Sequence, residues 1–125
     1  MDVLDEILNR IEERQDEWLG LLSDLVRRPS ENPPGDTRAA AECLIEYLKG
    51  KGHPHEVVEP KPGMVNVVAA TDRGFGRSVI LNGHLDTFPV GDRSGWERDP
   101  FSGTVVAGKV FGRGVADMKA GTGAS

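Results

Sequence analysis

The sequence has one cysteine, Cys43, so an intrachain disulfide is excluded. Its place between Glu42 and Leu44 on a helical stretch reads as a packed side chain, because free cysteine is commonly buried. Long apolar runs are missing as well. The longest, such as residues 65–70 with Asn66 inside it, falls far short of the ~20 residues needed to cross a bilayer, and the acidic amino terminus does not have the form of a signal peptide. Basic charge is scarce: 15 Lys and Arg stand against 20 Asp and Glu, a net charge of −5, with neither a basic stripe nor a run of like charges. Nucleic acid and anionic membrane are therefore poor partners. Internal repeats and low-complexity tracts are absent. What remains is a soluble, cytoplasmic protein of one domain at most, since 125 residues bury a real core but hide less of their surface than a larger fold does.

Apolar residues then lay out the elements. Leu4, Ile7, Leu8, Ile11, Trp18, Leu19, Leu22, Leu25 and Val26 recur at three- and four-residue steps, predicting one long amphipathic helix whose Trp18 face packs into the core. Asp2 caps its start and Pro29 stops it. A turn-rich connector, Ser30-Glu31-Asn32-Pro33-Pro34-Gly35, leads to a second helix capped by Asp36 or Thr37, with Ala41, Leu44, Ile45 and Leu48 on its apolar side and Gly50 and Gly52 at its end. The period then changes. Residues 55–59, 65–70 and 78–82 are β-branched strand candidates, the last following a Gly74-Phe75-Gly76 turn. The continuous apolar character of Val79, Ile80 and Leu81 predicts a central parallel strand covered on both faces. A long loop follows, anchored by Trp96, Pro100 and Phe101. After it, residues 104–107 and 109–111 predict a hairpin turning near Gly108, and residues 118–125 begin a glycine-diluted helix.

Two segments carry chemistry. Gly83-His84-Leu85-Asp86-Thr87 and Gly112-Arg113-Gly114-Val115-Ala116-Asp117-Met118-Lys119 place a histidine and two aspartates where strands end, the edge at which α/β sheets build their crevices. These are metal-ligand residue types. On extended backbone His84 and Asp86 project to the same side. One ring nitrogen of a neutral imidazole binds a metal while a carboxylate on the other fixes the tautomer, so Asp86 is that orienting group or a ligand itself. Taken alone, a His-x-Asp pair reads first as a structural hydrogen-bonding histidine, because short motifs recur by chance. Asp117, among glycines that permit close backbone approach, reads equally as a ligand or as an Asx turn or helix N-cap. His53 and His55 flank Pro54 at the opposite end of an early strand, where exposed or capping roles fit them.

These residues carry a resemblance. Leu81-Asn82-Gly83-His84-Leu85-Asp86-Thr87, then Trp96-Glu97-Arg98-Asp99-Pro100-Phe101, then Val110-Phe111-Gly112-Arg113-Gly114-Val115-Ala116-Asp117-Met118-Lys119-Ala120-Gly121, resemble the amino-terminal signature of a family of dinuclear zinc metallopeptidases. That family spans aminoacylase, acetylornithine deacetylase, succinyl-diaminopimelate desuccinylase and glutamate carboxypeptidase. The likeness implies that residues 1–125 are the amino-terminal portion of an α/β, zinc-peptidase-like catalytic domain, without a dimerisation domain, its mixed and mostly parallel sheet flanked by helices. It implies that His84 is a metal ligand, that Asp86 serves catalysis by orienting the imidazole, and that Asp117 bridges two divalent ions. Zinc is the expected metal, and cobalt or manganese suit the same ligands. A cis peptide is implied at Asp117-Met118. Trp96 and Phe101 take packing roles, and Arg113 and Lys119 are left to hydrogen bonding or solvent.

The implied reaction is hydrolysis of the amide bond of an N-acyl amino acid or small peptide by a metal-activated water. The family's adjacent glutamates, its further acidic ligand and its late histidine have no counterparts up to Ser125, so the 125-residue chain is expected to be inactive alone. The competing reading is a silent fragment that binds metal weakly or not at all and associates through an exposed sheet edge, with itself or another chain.

Overall fold

The computed structural model describes residues 2–72, 74 and 76–125. Phe75, in the expected Gly74-Phe75-Gly76 turn, lies outside them. Two helices, α1 (Val3–Glu13) and α2 (Gln15–Val26), stand where the periodicity predicts one. The break is at Arg14, whose backbone (φ −110, ψ 11) leaves helical geometry. Its cause is legible: between Ile11 and Trp18 every residue is polar, so nothing apolar holds that turn against the body of the protein.

The consequences for the two helices differ. Helix α2 buries Leu21, Leu25 and Val26, whereas α1 buries nothing and leaves Val3, Leu4, Ile7, Leu8 and Ile11 exposed. Trp18 is likewise outside the core, lying beneath the Arg14 guanidinium at 5.5 Å. The expected core packing of the Trp18 face is therefore corrected: the buried stripe begins at Leu21. Helix α3 (Arg38–Gly50) packs Cys43 against Leu21 and Leu25 of α2, with Leu44 and Tyr47 closing the cluster, and also buries Ala40 and Ala41. Cys43 is buried as expected, and burial pushes its thiol pKa up. At the start of α3, Asp36 accepts the Arg38 backbone N–H and pairs with its guanidinium. Thr37 occupies the cap position but spends its hydroxyl on β2, accepting from the Val65 N–H at 2.9 Å.

Strands β1 (His55–Lys61) and β2 (Met64–Ala69) form an antiparallel hairpin, with His55 opposite Ala69 and a register shift between Val58 and Lys61. Strands β3 (Thr104–Val106) and β4 (Lys109–Phe111) form the second hairpin, turning at Ala107-Gly108 as predicted. The molecule is thus a mixture of helices and strands, and both sheets described are two-stranded and antiparallel. Residues 78–82 carry no strand pairing, and Val79, Ile80 and Leu81 are 66–88 % exposed. The physical reason is plain: a strand buried on both faces needs neighbours on both edges, and none of the described elements lies beside this one. Parallel pairing occurs at a single point among the described residues, where Glu31 meets Thr87. There the Asn32 N–H donates to the Thr87 carbonyl at 2.8 Å and the Thr87 N–H to the Ser30 carbonyl at 2.9 Å.

That bridge presses the connector between α2 and α3 against the segment 84–87. The connector contains cis bonds at Asn32-Pro33 and Pro33-Pro34. A helical turn, Val115–Lys119, opens into extended backbone at Asp117 (φ −130, ψ 94) before α4 (Ala120–Ala124). No helix among the described residues is long and apolar enough to cross a membrane.

Candidate metal centre

The two signature segments meet. Nε2 of His84 lies 2.9 Å from Oδ1 of Asp117, across 33 residues of chain. On the other side of the ring, Nδ1 lies 2.9 Å from the backbone oxygen of Asp86 and 3.2 Å from its Oδ1. Among the described residues the helix-start positions here are Gly114 and Lys119, and the Asp117 carboxylate faces His84 instead of a helix start. The carboxylate is spent on His84 and is otherwise open to solvent, 72 % exposed.

Several anchors set this meeting. From one side, the Ser30 hydroxyl donates to the Leu85 carbonyl at 2.6 Å and Asn32 Nδ2 donates to Asp86 Oδ2 at 3.0 Å. From the other, the Thr122 hydroxyl of α4 donates to the His84 carbonyl at 3.0 Å. Asp117 is held by its neighbour two residues on. Lys119 is 1 % exposed, and its ammonium donates to the carbonyl of Arg28 at 2.7 Å and to that of Leu25 at 2.8 Å, which also accepts the Arg28 N–H at 3.2 Å. Burial pushes its pKa down to about 8. Of the two roles expected for Lys119, hydrogen bonding is the one observed, and solvent exposure is corrected.

The glycines of this segment serve packing. A side chain on Gly112 (φ +153) would overlap Val26 and approach the Pro100 carbonyl to 2.9 Å, and one on Gly114 (φ +80) would overlap the Thr87 methyl. They let the backbone approach α2 and the 84–87 segment. Arg113 stacks over Trp96 at 5.1 Å, and Trp96 donates to the Val90 carbonyl at 3.3 Å. Pro100 is buried and Phe101 lies beneath the Arg93 guanidinium at 5.7 Å, so all three expected anchors of the long loop are engaged.

Charge is shared around the ring. Partial burial opposes the charged His84, but the Asp86 carbonyl and the Asp117 carboxylate outweigh it and raise the pKa. For Asp86, the Asn32 amide is the largest influence and lowers the pKa, with burial opposing and His84 assisting. His53 and His55 stand elsewhere, on local partners: His53 contacts Pro54 O at 3.1 Å and Thr71 Oγ1 at 2.8 Å, and His55 contacts His53 O at 3.0 Å. Among the described residues no three or more His, Cys, Asp or Glu side chains gather into a complete metal-binding group.

Comparison with known proteins bears on the same residues. Residues 80–125, which contain His84, Asp86 and Asp117, match the model of peptidase family M20/M25/M40. They belong to that family. Among curated relatives, N-formyl-4-amino-5-aminomethyl-2-methylpyrimidine deformylase of Halalkalibacterium halodurans is 36% identical over 125 residues, covering 97% of this chain and 29% of that protein. Succinyl-diaminopimelate desuccinylases of Cereibacter sphaeroides and Methylocella silvestris are each 39% identical, over 107 and 103 residues, covering 85% and 79% of this chain and 27% and 26% of theirs. The chain spans less than a third of the length of these relatives. The cis bond implied at Asp117-Met118 is present in the M20/M25/M40 segment.

Sequence reasoning missed Asn32, Ser30 and Thr122 as supports of the site. The only signal was the clustering of hydrogen-bonding side chains in the connector, which read as turn chemistry.

Proposed function

We propose that residues 1–125 supply part of the site of a metal-dependent hydrolase that cleaves the amide bond of an N-acyl amino acid or small peptide. One observation carries the reading: an imidazole nitrogen and a carboxylate oxygen, distant in sequence, converge at 2.9 Å within the family-matched segment. The residues fit a metal. Nitrogen and oxygen donors aimed at one point suit a borderline divalent ion, and Nδ1 is engaged by Asp86, leaving Nε2 as the donor atom. His84 and Asp117 would hold the metal, with Asp117 bridging two ions, and Asp86 would keep the ring proton on Nδ1. Bound divalent ions, zinc by preference and cobalt or manganese on the same ligands, supply a water of lowered pKa and a polarised scissile carbonyl.

The chain's own residues orient and restrain. Lys119 ties the Asp117 segment to α2, Thr122 and Ser30 hold the backbone of residues 84–85, and Asp86 orients the imidazole. Two donors are about half of what zinc takes, so the 125-residue chain should bind it weakly and be inactive alone. The named relatives are a deformylase and a desuccinylase, in keeping with a small acyl substrate, and the net charge of −5 supports a cytoplasmic setting without a nucleic-acid or membrane partner. The test is a chimera in which residues 1–125 replace the corresponding stretch of a Cereibacter sphaeroides desuccinylase. Zinc-dependent desuccinylation that disappears with His84→Ala supports the reading, and activity indifferent to that change refutes it.

A second reading has its own observation. The exposed, unpaired Val79, Ile80 and Leu81 favour a silent fragment that self-associates through strand pairing. Sedimentation decides: a concentration-dependent dimer broken by Ile80→Lys supports it, and a monomer at all concentrations does not.

A further inference from the structure

Asn32 stands in the connector between α2 and α3, 54 residues before the aspartate to which its amide donates. Its backbone is fixed and its side chain has room. The Asn32 N–H donates to the Thr87 carbonyl at 2.8 Å, and the side-chain amide lies over Gly35, where a Cβ would stand 3.4 Å from Asn32 Cγ and Oδ1. The two oxygens of Asp86 are thereby divided. Oδ2 takes the Asn32 amide at 3.0 Å, and Oδ1 faces Nδ1 of His84 at 3.2 Å. An ionised carboxylate only accepts, so the Asn32 atom facing it is the NH2 group.

We infer that Asn32 is the positioning residue of the site: by holding one oxygen of Asp86 it aims the other at Nδ1 of His84, and so turns Nε2 toward Asp117 and a shared cation. This rests on the proposed metal-binding role of His84 and Asp117. A carboxylate free to rotate would leave Nδ1 on the Asp86 carbonyl alone, with the ring less firmly oriented. Groups that act on a ligand through one intervening side chain change metal affinity by about 10–100-fold.

The experiment uses the 125-residue chain labelled with 15N-histidine and titrated with zinc alone, comparing wild type with Asn32→Leu and with the near-isosteric Asn32→Asp, which keeps the shape if the leucine disturbs folding. The expected result is a zinc Kd raised about 10-fold, faster solvent exchange of the His84 Nδ1 proton, and an unchanged unfolding midpoint. Affinity and exchange within twofold of wild type in both variants would overturn the inference. If zinc leaves the His84 ring resonances of wild type unmoved, the metal reading fails by itself. The positioning role is then decided on the metal-free protein: the His84 Nδ1 nitrogen shift moves in Asn32→Leu if the amide aims the carboxylate, and stays in place if it does not.

Discussion

The ammonium of Lys119 sits 2.8 Å from the carbonyl of Leu25, ninety-four positions earlier in the chain, and is almost wholly buried there. This contact makes the end of α2 the reference point for Asp117. A charged group closes the helix carboxyl end, where the backbone dipole favours it, and the two-residue span back to Asp117 fixes how the carboxylate faces His84.

Lys119→Met therefore removes the donor and keeps most of the bulk. The Arg28 carbonyl loses the lysine donor and the Leu25 carbonyl keeps only the Arg28 N–H, at a cost of about 1–3 kcal/mol for a buried unsatisfied group. Urea unfolding should show that loss, and the His84 ring resonances should shift as Asp117 moves. Unchanged stability would mean that water satisfies Leu25 and Arg28 as well as the lysine does.

The glycines give a paired comparison. Gly108 has a positive φ (+73) but open space around a would-be Cβ, so Gly108→Ala should cost about 1 kcal/mol in backbone strain alone. Gly114 combines a positive φ (+80) with overlap on the buried Thr87. Gly114→Ala should add about 1–3 kcal/mol of overpacking to that strain. Equal unfolding midpoints for the two variants would remove the close approach of Gly114 to Thr87 as a constraint.

Acid sensitivity is expected at the α2–α3 contact. Glu17 accepts from Arg14 and from the Tyr47 hydroxyl at 2.6 Å and pairs with Lys51 at 2.6 Å. Arg14 first, then Lys51 and Tyr47, bring its pKa down to about 2 from 4.5. A carboxyl with a folded-state pKa below its unfolded value contributes stability above the unfolded value, and that contribution is lost as pH falls through the folded one. Stability of wild type should thus decline between about pH 4.5 and 2 more steeply than that of Glu17→Gln. Parallel declines would place the acid-sensitive group elsewhere.

How much of this was legible depends on the kind of signal. Leu25 and Val26 of α2 and Ala41 of α3 follow a period, and the hairpin at Gly108 follows turn chemistry, so these could be read directly, whereas the buried Leu21 and Ala40 stood outside the apolar positions that the period marked. The interruption at Arg14 was overlooked because a nine-member apolar pattern hid a gap of six polar residues. Val79, Ile80 and Leu81 spelled a covered strand, since composition records what a segment needs and not what lies beside it. His84 and Asp117 were found through motif resemblance, but the choice between cap and His84 contact for Asp117 needed three dimensions. Asn32 had no signature at all, since an amide among prolines reads as a turn, and Lys119, though inside the signature segment, left hydrogen bonding and solvent both open.

The central claim is that His84 and Asp117 grip one cation between them. Zinc titration of the 125-residue chain by calorimetry, repeated with His84→Ala and Asp117→Asn, tests it most directly. The account predicts weak binding in wild type that either substitution abolishes. Zinc bound with unchanged affinity by both variants, and lost instead when His53 and His55 are replaced, would contradict it.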